Sequence, residues 1–216
     1  MPRLPLRATA TRISELMITA GVISLVYMVY LLWWTGFVAD KSAHADVCRL
    51  RQQWAASVSV APRPGQPFAT IQIPRIRNPQ VWPVLDGTAQ PELEQGVGWF
   101  PNTGQPGQVG NFGVAAHRRT WGDMFRYLNE VKAGDTVVVR DGNTVYTYRV
   151  IEDPVYVAPD EVDVLWPVPG HSGLTRPGRY ITLTTCDPVY QPYRRLIVFG
   201  ELVSRSTAST GTKLVC

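Results

Sequence analysis

The sequence has few of the side chains that bind metal ions or phosphate groups. Its 216 residues include only three histidines, at positions 44, 117 and 171, and no Cys-x-x-Cys or His-x-x-x-His spacing occurs. Metal sites need several such ligands close together, so the sequence predicts no metal and no metal cofactor. A glycine-rich stretch, NTGQPGQVGNFG, leads into a predicted strand and not into a helix, which excludes a phosphate loop.

Charge is also scarce, because only 18% of the residues are Asp, Glu, Lys or Arg. The formal net charge of +4 falls to +2 once the first 15 residues, with three arginines and one glutamate, are set aside. A charge this small over the rest of the chain argues against a nucleic-acid partner. The 45% hydrophobic content excludes a disordered chain.

Cysteine is too rare, and odd in number, for a complete disulfide framework. Cys48 precedes the predicted folded domain, Cys186 lies within it, and Cys216 is the last residue. At least one thiol must stay free or pair with another molecule. A bridge between Cys48 and Cys216 and a free Cys186 is one arrangement that the spacing allows.

One long hydrophobic run stands near the N-terminus. Leu16–Val38 contains 23 residues without a charge, and Trp33 and Trp34 lie near its C-terminal end. As a helix it is roughly 34 Å long, enough for a hydrocarbon core of about 30 Å. A cleaved signal peptide is the alternative, but its apolar region is usually shorter, about 7–15 residues. We therefore predict an uncleaved single-pass anchor, with the arginines before it cytoplasmic and the rest of the chain extracytoplasmic.

The remainder divides into a linker, one domain and a tail. We expect a cytoplasmic N-terminus at 1–15, the anchor at 16–38, an extracytoplasmic stalk at 39–67, a folded β domain at 68–204 and a polar tail at 205–216. Short β-branched runs separated by turns predict a mainly β closed barrel or sandwich with one or two short helices, near 91–96 and 122–131. The predicted strands are Ala69–Ile73, Val81–Leu85, Asn111–Ala116, Thr136–Arg140, Thr144–Ile151, Tyr180–Thr185 and Leu196–Leu202.

Three residues lie at ends of predicted strands and together suit acyl-transfer chemistry. Cys186 follows the strand YITLTT, His117 follows NFGVAA, and Arg195 begins LIVFGEL. Singly, these residues are more often a buried thiol, a capping imidazole and a solvated charge. Together they supply a thiol nucleophile, a proton shuttle and a cation for an oxyanion.

The same residues carry a family resemblance. Thr182-Leu183-Thr184-Thr185-Cys186 is similar to the Thr-Leu-X-Thr-Cys signature of the sortases, membrane-anchored cysteine transpeptidases of Gram-positive bacteria. His117 occupies the position of the family's histidine, although Ala116 stands where glycine is usual. Arg195 matches the family's arginine, and Arg194 should point to the opposite face of its strand. The stretch PGQVGNF, the His-Arg pair and the Cys-x-Pro most resemble class E sortases of actinobacteria.

The resemblance implies an eight-stranded sortase-type β-barrel and a cysteine-endopeptidase type of chemistry without a cofactor. Substrates would be surface proteins with a C-terminal Leu-Ala-X-Thr-Gly or Leu-Pro-X-Thr-Gly signal, cleaved between Thr and Gly. Cys186 would form a thioacyl intermediate, His117 would transfer protons, Arg195 would stabilise the oxyanion, and Thr185 would help to bind substrate. A peptidoglycan precursor amine would be the acceptor.

Other functions are less consistent with the sequence. L,D-transpeptidases place histidine and cysteine two residues apart, and papain-like proteases need a Cys-Gly-Ser-Cys-Trp setting, which is absent. A catalytically silent, membrane-tethered scaffold for wall proteins is favoured only by Ala116. The Asp-Pro-aromatic lid of pilin-polymerising sortases does not occur in residues 40–67, which favours housekeeping attachment of single proteins.

Overall fold

The computed structural model describes residues 6–30, 34–76, 80–189, 191 and 193–208. Its first element is helix α1, Leu6–Val29. Within it, Ala10–Val29 is long and apolar enough to cross a membrane, with a mean hydropathy of 1.5 and no part buried against the rest of the chain. This helix covers the first part of the predicted anchor, while residues 31–33 lie outside the described residues.

The rest of the chain is built mainly of short strands. The strands are β1 Pro67–Gln72, β2 Trp82–Asp86, β3 Val97–Trp99, β4 Gly110–Ala115, β5 Thr136–Asp141, β6 Thr144–Val150, β7 Val155–Val157, β8 Arg179–Asp187 and β9 Arg194–Thr207. The helical elements are α2 Thr35–Ala55, α3 Gln90–Gln95 and the 3-10 helices Leu128–Glu130 and Val162–Leu165.

The strands close into a barrel, as predicted. The sheet order is β6-β5-β1-β2-β3-β4-β8-β9, and pairing of β6 with β9 closes the ring. The remaining strand, β7, pairs with the first part of β9, and β6 pairs with the later part. The 14 residues of β9 are long enough for both pairings. Closure removes the unpaired edges that an open sheet would expose.

The inward residues of the strands fill the barrel with large apolar side chains, including Phe68, Phe112, Leu183 and Val198. Alternation is clearest in β5 and β6, whereas β8 is buried along nearly its whole length because other elements cover its outer face. The β5–β6 hairpin turns through Gly142, whose φ of +60° suits a two-residue loop that needs glycine at its first position.

Helix α2 begins in the last residues of the predicted anchor, continues into the predicted stalk and packs against the barrel. One face, with residues three or four apart, is fully buried and contacts β1, β2 and α3: Ala39, Ala43, Val47, Leu50 and Trp54. The guanidinium of Arg140, on β5, lies 4.9 Å from the centroid of the Trp54 ring. The segment after α1 is therefore joined to the barrel by an apolar interface. The boundaries of the stalk and of the domain stay predictions.

One predicted helix is largely absent. Thr120, Trp121, Gly122 and Asp123 all have positive φ values, between 51° and 88°, which a right-handed helix does not allow. Only Leu128–Glu130 of the predicted 122–131 segment is helical, as a 3-10 turn. Its apolar residues are nevertheless buried, so the periodicity identified core residues and not a helix. The other predicted helix, near 91–96, forms as α3.

Candidate active site

Strand pairing brings the predicted site residues to one end of the barrel. Strands β4 and β8 are parallel, with Ala115 opposite Thr184, so the residues that follow them emerge side by side. Strand β9 runs antiparallel to β8 and begins at the same end, where Arg195 is opposite Cys186. His117, Thr185, Cys186 and Arg195 accordingly line one cleft of about 330 Å³.

Cys186 is the free cysteine of the described part of the chain, and it is exposed. Its Sγ accepts a hydrogen bond from Nη1 of Arg195 at 3.3 Å. A guanidinium this close can donate to the sulfur and to a substrate oxygen held beside it. Cys48, on α2, takes part in a disulfide, and Cys216 lies outside the described residues.

His117 is half-buried at the exit of β4. Burial lowers the pKa of its imidazole below the ordinary value of 6.5, and the nearby Glu94 carboxylate partly opposes this shift. Within the described residues, its buried Nε2 atom has no hydrogen-bond partner. The backbone of the same residue is fixed, because its carbonyl accepts from the amide of Phe125 at 3.0 Å. His117 thus combines a held backbone with a ring nitrogen that is free for a substrate or a proton.

Thr185 joins the cysteine strand to the segment that carries the histidine. Its side chain is buried, and Oγ1 donates to the carbonyl of Ala116 at 2.7 Å. The hydroxyl hydrogen is used in this bond, so only the lone pairs of Oγ1 remain for a substrate donor. The contact gives Thr185 a geometric role beside the substrate-binding role predicted from the sequence.

A second set of residues forms the opposite wall of the cleft, and sequence reasoning did not find it. Val162–Leu165, a 3-10 helix, presents Val162, Val164 and Leu165 to the cleft. Two buried polar side chains hold it: Asn111 donates from Nδ2 to the carbonyl of Val164 at 3.0 Å, and Thr182 Oγ1 lies 3.0 Å from the same carbonyl. The wall is therefore attached to β4 and β8, the strands that also position His117 and Cys186.

A cluster of titratable groups next to this wall was also not predicted. Glu161, Asp163 and His171 bring three ligand-type atoms within 4.8 Å of one another. Nε2 of His171 lies 2.5 Å from Oε2 of Glu161 and 3.5 Å from Oδ2 of Asp163, so the imidazole lies between the two carboxyl groups. The prediction that the protein needs no metal stays a prediction.

Comparison with known proteins agrees with this arrangement. The sortase domain family matches residues 71–203. The chain belongs to the sortase family. It is 37% identical over 208 residues to Sortase SrtE1 of Streptomyces coelicolor, covering 92% of this chain and 58% of that protein. It is 33% identical over 218 residues to Sortase SrtE2 of the same organism, covering 93% of this chain and 86% of that protein. The chain thus spans little more than half the length of the first of these sortases.

Solved sortase structures share the fold. The structure of sortase E from Streptomyces avermitilis superposes with a TM-score of 0.64 at 43% identity, covering 70% of this chain and 97% of that one. Sortase E1 from Streptomyces coelicolor, crystallised with a tripeptide in the active site, gives a TM-score of 0.64 at 37% identity, covering 71% and 98%. The family and the class E resemblance predicted from the sequence are both confirmed.

Proposed function

We propose that this sortase is a cysteine transpeptidase whose nucleophile is Cys186. The observation that carries the proposal is the meeting of three groups in one cleft: an exposed thiol, a guanidinium 3.3 Å from its sulfur, and an imidazole with an unpartnered buried Nε2. Nucleophile, acid–base group and oxyanion donor are the parts that acyl transfer requires. Each comes from a different strand end, so only the closed barrel assembles them.

In the first half-reaction, the Cys186 thiolate attacks the carbonyl carbon of the substrate threonine. The carbonyl oxygen becomes an oxyanion that Arg195 stabilises with its N–H donors. The intermediate collapses, the Thr–Gly bond breaks, and the leaving glycine amine takes a proton from the His117 imidazolium. A thioester between Cys186 and threonine remains, and it retains the free energy of the cleaved peptide bond.

In the second half-reaction, an acceptor amine attacks the thioester. The now neutral His117 takes the proton that the amine loses, and the Cys186 thiolate leaves. Both groups return to their starting states, so no nucleotide or other cofactor is consumed. Without an amine, water resolves the thioester and the enzyme behaves as an endopeptidase.

The substrates we propose are surface proteins with a C-terminal Leu-Ala-X-Thr-Gly or Leu-Pro-X-Thr-Gly signal. The apolar walls of the cleft, contributed by Leu93, Val157, Val164 and Leu165, suit the leucine and the alanine or proline at the start of these signals. The acceptor is a peptidoglycan precursor amine. With α1 as a single-pass anchor and its N-terminus in the cytoplasm, the cleft lies on the outer side of the membrane, where such substrates occur.

Trapping the thioester tests the proposal. The parent protein should cleave a Leu-Ala-X-Thr-Gly peptide. Mass spectrometry should show an adduct at Cys186 whose added mass is that of the peptidyl acyl group ending at threonine. Cys186→Ala should lose cleavage and adduct, whereas Cys48→Ser should keep both because α2 lies away from the cleft.

The competing hypothesis is a silent scaffold that binds sorting peptides without cleaving them. It predicts peptide binding with no adduct in the parent protein. Cleavage that persists in Cys186→Ala would contradict the proposed nucleophile.

A further inference from the structure

A buried carboxylate lies directly beside the proposed nucleophile. Asp187 is the last residue of β8 and follows Cys186, and its side chain is only 6% exposed. Oδ1 accepts from Nη1 of Arg118, and Oδ2 accepts from Nε of Arg194 at 2.6 Å. Each oxygen of Asp187 is thus held by a different arginine, from a different part of the chain.

The two arginines are the immediate neighbours of the other two proposed site residues. Arg118 follows His117, and Arg194 precedes Arg195. In the β8–β9 ladder, Asp187 is opposite Arg194 while Cys186 is opposite Arg195. A single carboxylate therefore connects the three segments that carry thiol, imidazole and oxyanion donor.

Neither arginine is a loosely held surface side chain. Arg118 is 11% exposed, and its Nη2 also donates to Oδ1 of Asn129 at 2.8 Å. Arg194 is more open, but its guanidinium lies 4.0 Å from the centroid of the Tyr156 ring, on β7. Because a buried charge is costly without partners, the two arginines stabilise the Asp187 carboxylate and it in turn holds their side chains at this place.

We propose that Asp187 is a positioning residue of the active site, holding the segments of His117 and Arg195 in place around Cys186 and offsetting the charge of Arg118 and Arg194. This inference rests on the function proposed above. Asp187 does not touch the reacting atoms, and it acts through the residues on either side of it.

The charge balance gives the inference a measurable consequence. The charged and titratable groups that line the cleft are His117, Glu161, Cys186 and Arg195. Beside the cleft, around His117 and Arg118, are Glu94 on α3, Tyr156 on β7, Asp187 on β8 and Arg194 on β9. Removing the carboxylate leaves an extra positive charge near His117, which disfavours the imidazolium. The protonated histidine that the reaction needs is then lost at a lower pH, so the pH optimum of kcat/KM moves to lower pH.

The first experiment compares Asp187→Asn with the parent protein on a Leu-Ala-X-Thr-Gly peptide. We expect kcat to fall by about 10- to 100-fold, KM to stay within about threefold, and the pH optimum to fall by roughly half a unit, as for one nearby charge. Asp46→Asn is the matched control, because Asp46 is similarly buried and paired with Arg49 but lies on α2. It should keep the parent's kcat and pH optimum.

The second variant, Arg118→Gln, removes one positive charge and leaves Asp187 paired with Arg194. Its kcat should also fall, but its pH optimum should rise. Opposite shifts of the two variants are not expected from a general loosening of the fold. If Asp187→Asn does not fold, judged by circular dichroism, the rise in Arg118→Gln still decides the question.

Unchanged pH optima in both folded variants, or kcat within about twofold of the parent, would overturn the role of Asp187. A parent protein that forms no thioester adduct would instead refute the proposed function, whichever result the variants give.

Discussion

The placement of Arg195 leads to a quantitative expectation for its removal. Its backbone pairs with Cys186 on β8 and with Val157 on β7, so the start of β9 is held on both sides. Its guanidinium is already within hydrogen-bond distance of the Cys186 sulfur. A donor fixed in this way needs no reorganisation when negative charge develops on the substrate carbonyl.

The size of the effect follows from this preorganisation. Removing one such donor typically lowers turnover by about 10²–10³, which corresponds to about 2.7–4 kcal/mol of transition-state stabilisation. We therefore expect Arg195→Ala to lose that much in kcat while KM changes little. Arg195→Lys should recover only a small part, because an ammonium cannot present the two-pronged geometry of a guanidinium.

The assay is steady-state cleavage of a fluorogenic Leu-Ala-X-Thr-Gly peptide, with thermal unfolding measured in parallel. Arg205→Ala is the matched control, since Arg205 lies on the same strand but near Tyr146, away from the cleft. It should keep the parent's kcat. Arg194→Ala should be much milder than Arg195→Ala. A kcat for folded Arg195→Ala within about fivefold of the parent would refute the oxyanion role.

Three further predictions concern pH and hydrogen bonding. Burial lowers the pKa of His117 below 6.5, so its contribution to stability is complete above about pH 6.5 and is lost as the pH falls through the lowered value. Thermal unfolding between pH 7 and 5 should accordingly be less acid-sensitive in His117→Gln than in the parent, and equal sensitivity would contradict this. Burial raises the pKa of the Asp141 carboxyl to about 6. The folded state is therefore destabilised as the pH rises through that value and the carboxyl ionises. The free energy of unfolding of Asp141→Asn should exceed that of the parent by about 1 kcal/mol at pH 8, a value reduced for solvent screening, and should equal it below about pH 4. A gain that is independent of pH would be inconsistent with this cause. Thr185→Val leaves the Ala116 carbonyl without its donor and should lose about 1–3 kcal/mol of unfolding free energy together with activity, whereas Thr185→Ser should retain both.

Much of the fold could be predicted from local sequence patterns. Each of the seven predicted strands overlaps an observed one, because β-branched runs bounded by turn residues suit a half-buried pleated surface. The strands that were missed, β3 and β7, have three residues each, too few for alternation to be visible. The apolar residues of α2 recur every three or four positions but alternate with charged residues, so the sequence predicted a stalk there and not a helix packed on the barrel.

Some features of the candidate site could be predicted from the sequence and others could not. The TLTTC motif, the histidine after a strand and the arginine nine residues after the cysteine are adjacent or regularly spaced in the chain, and the family resemblance makes them visible. Asp187 stands next to the cysteine, yet its importance depends on Arg118, which is 69 residues away. Nothing local to either residue indicates that pairing.

The sequence by itself determined the apolar N-terminal helix, the β-rich domain, the family and the residues proposed to supply the chemistry, because composition, periodicity and short motifs are local properties. Only the tertiary structure decided that α2 packs on the barrel, that Val162–Leu165 forms a wall of the cleft, and that Asp187 joins three segments of the site. These features depend on strand pairings between residues far apart in the chain and on the charges that closure of the barrel buries together. The stability of such pairings depends on whether their geometry offsets the cost of desolvating the charges, and no short stretch of sequence contains that information.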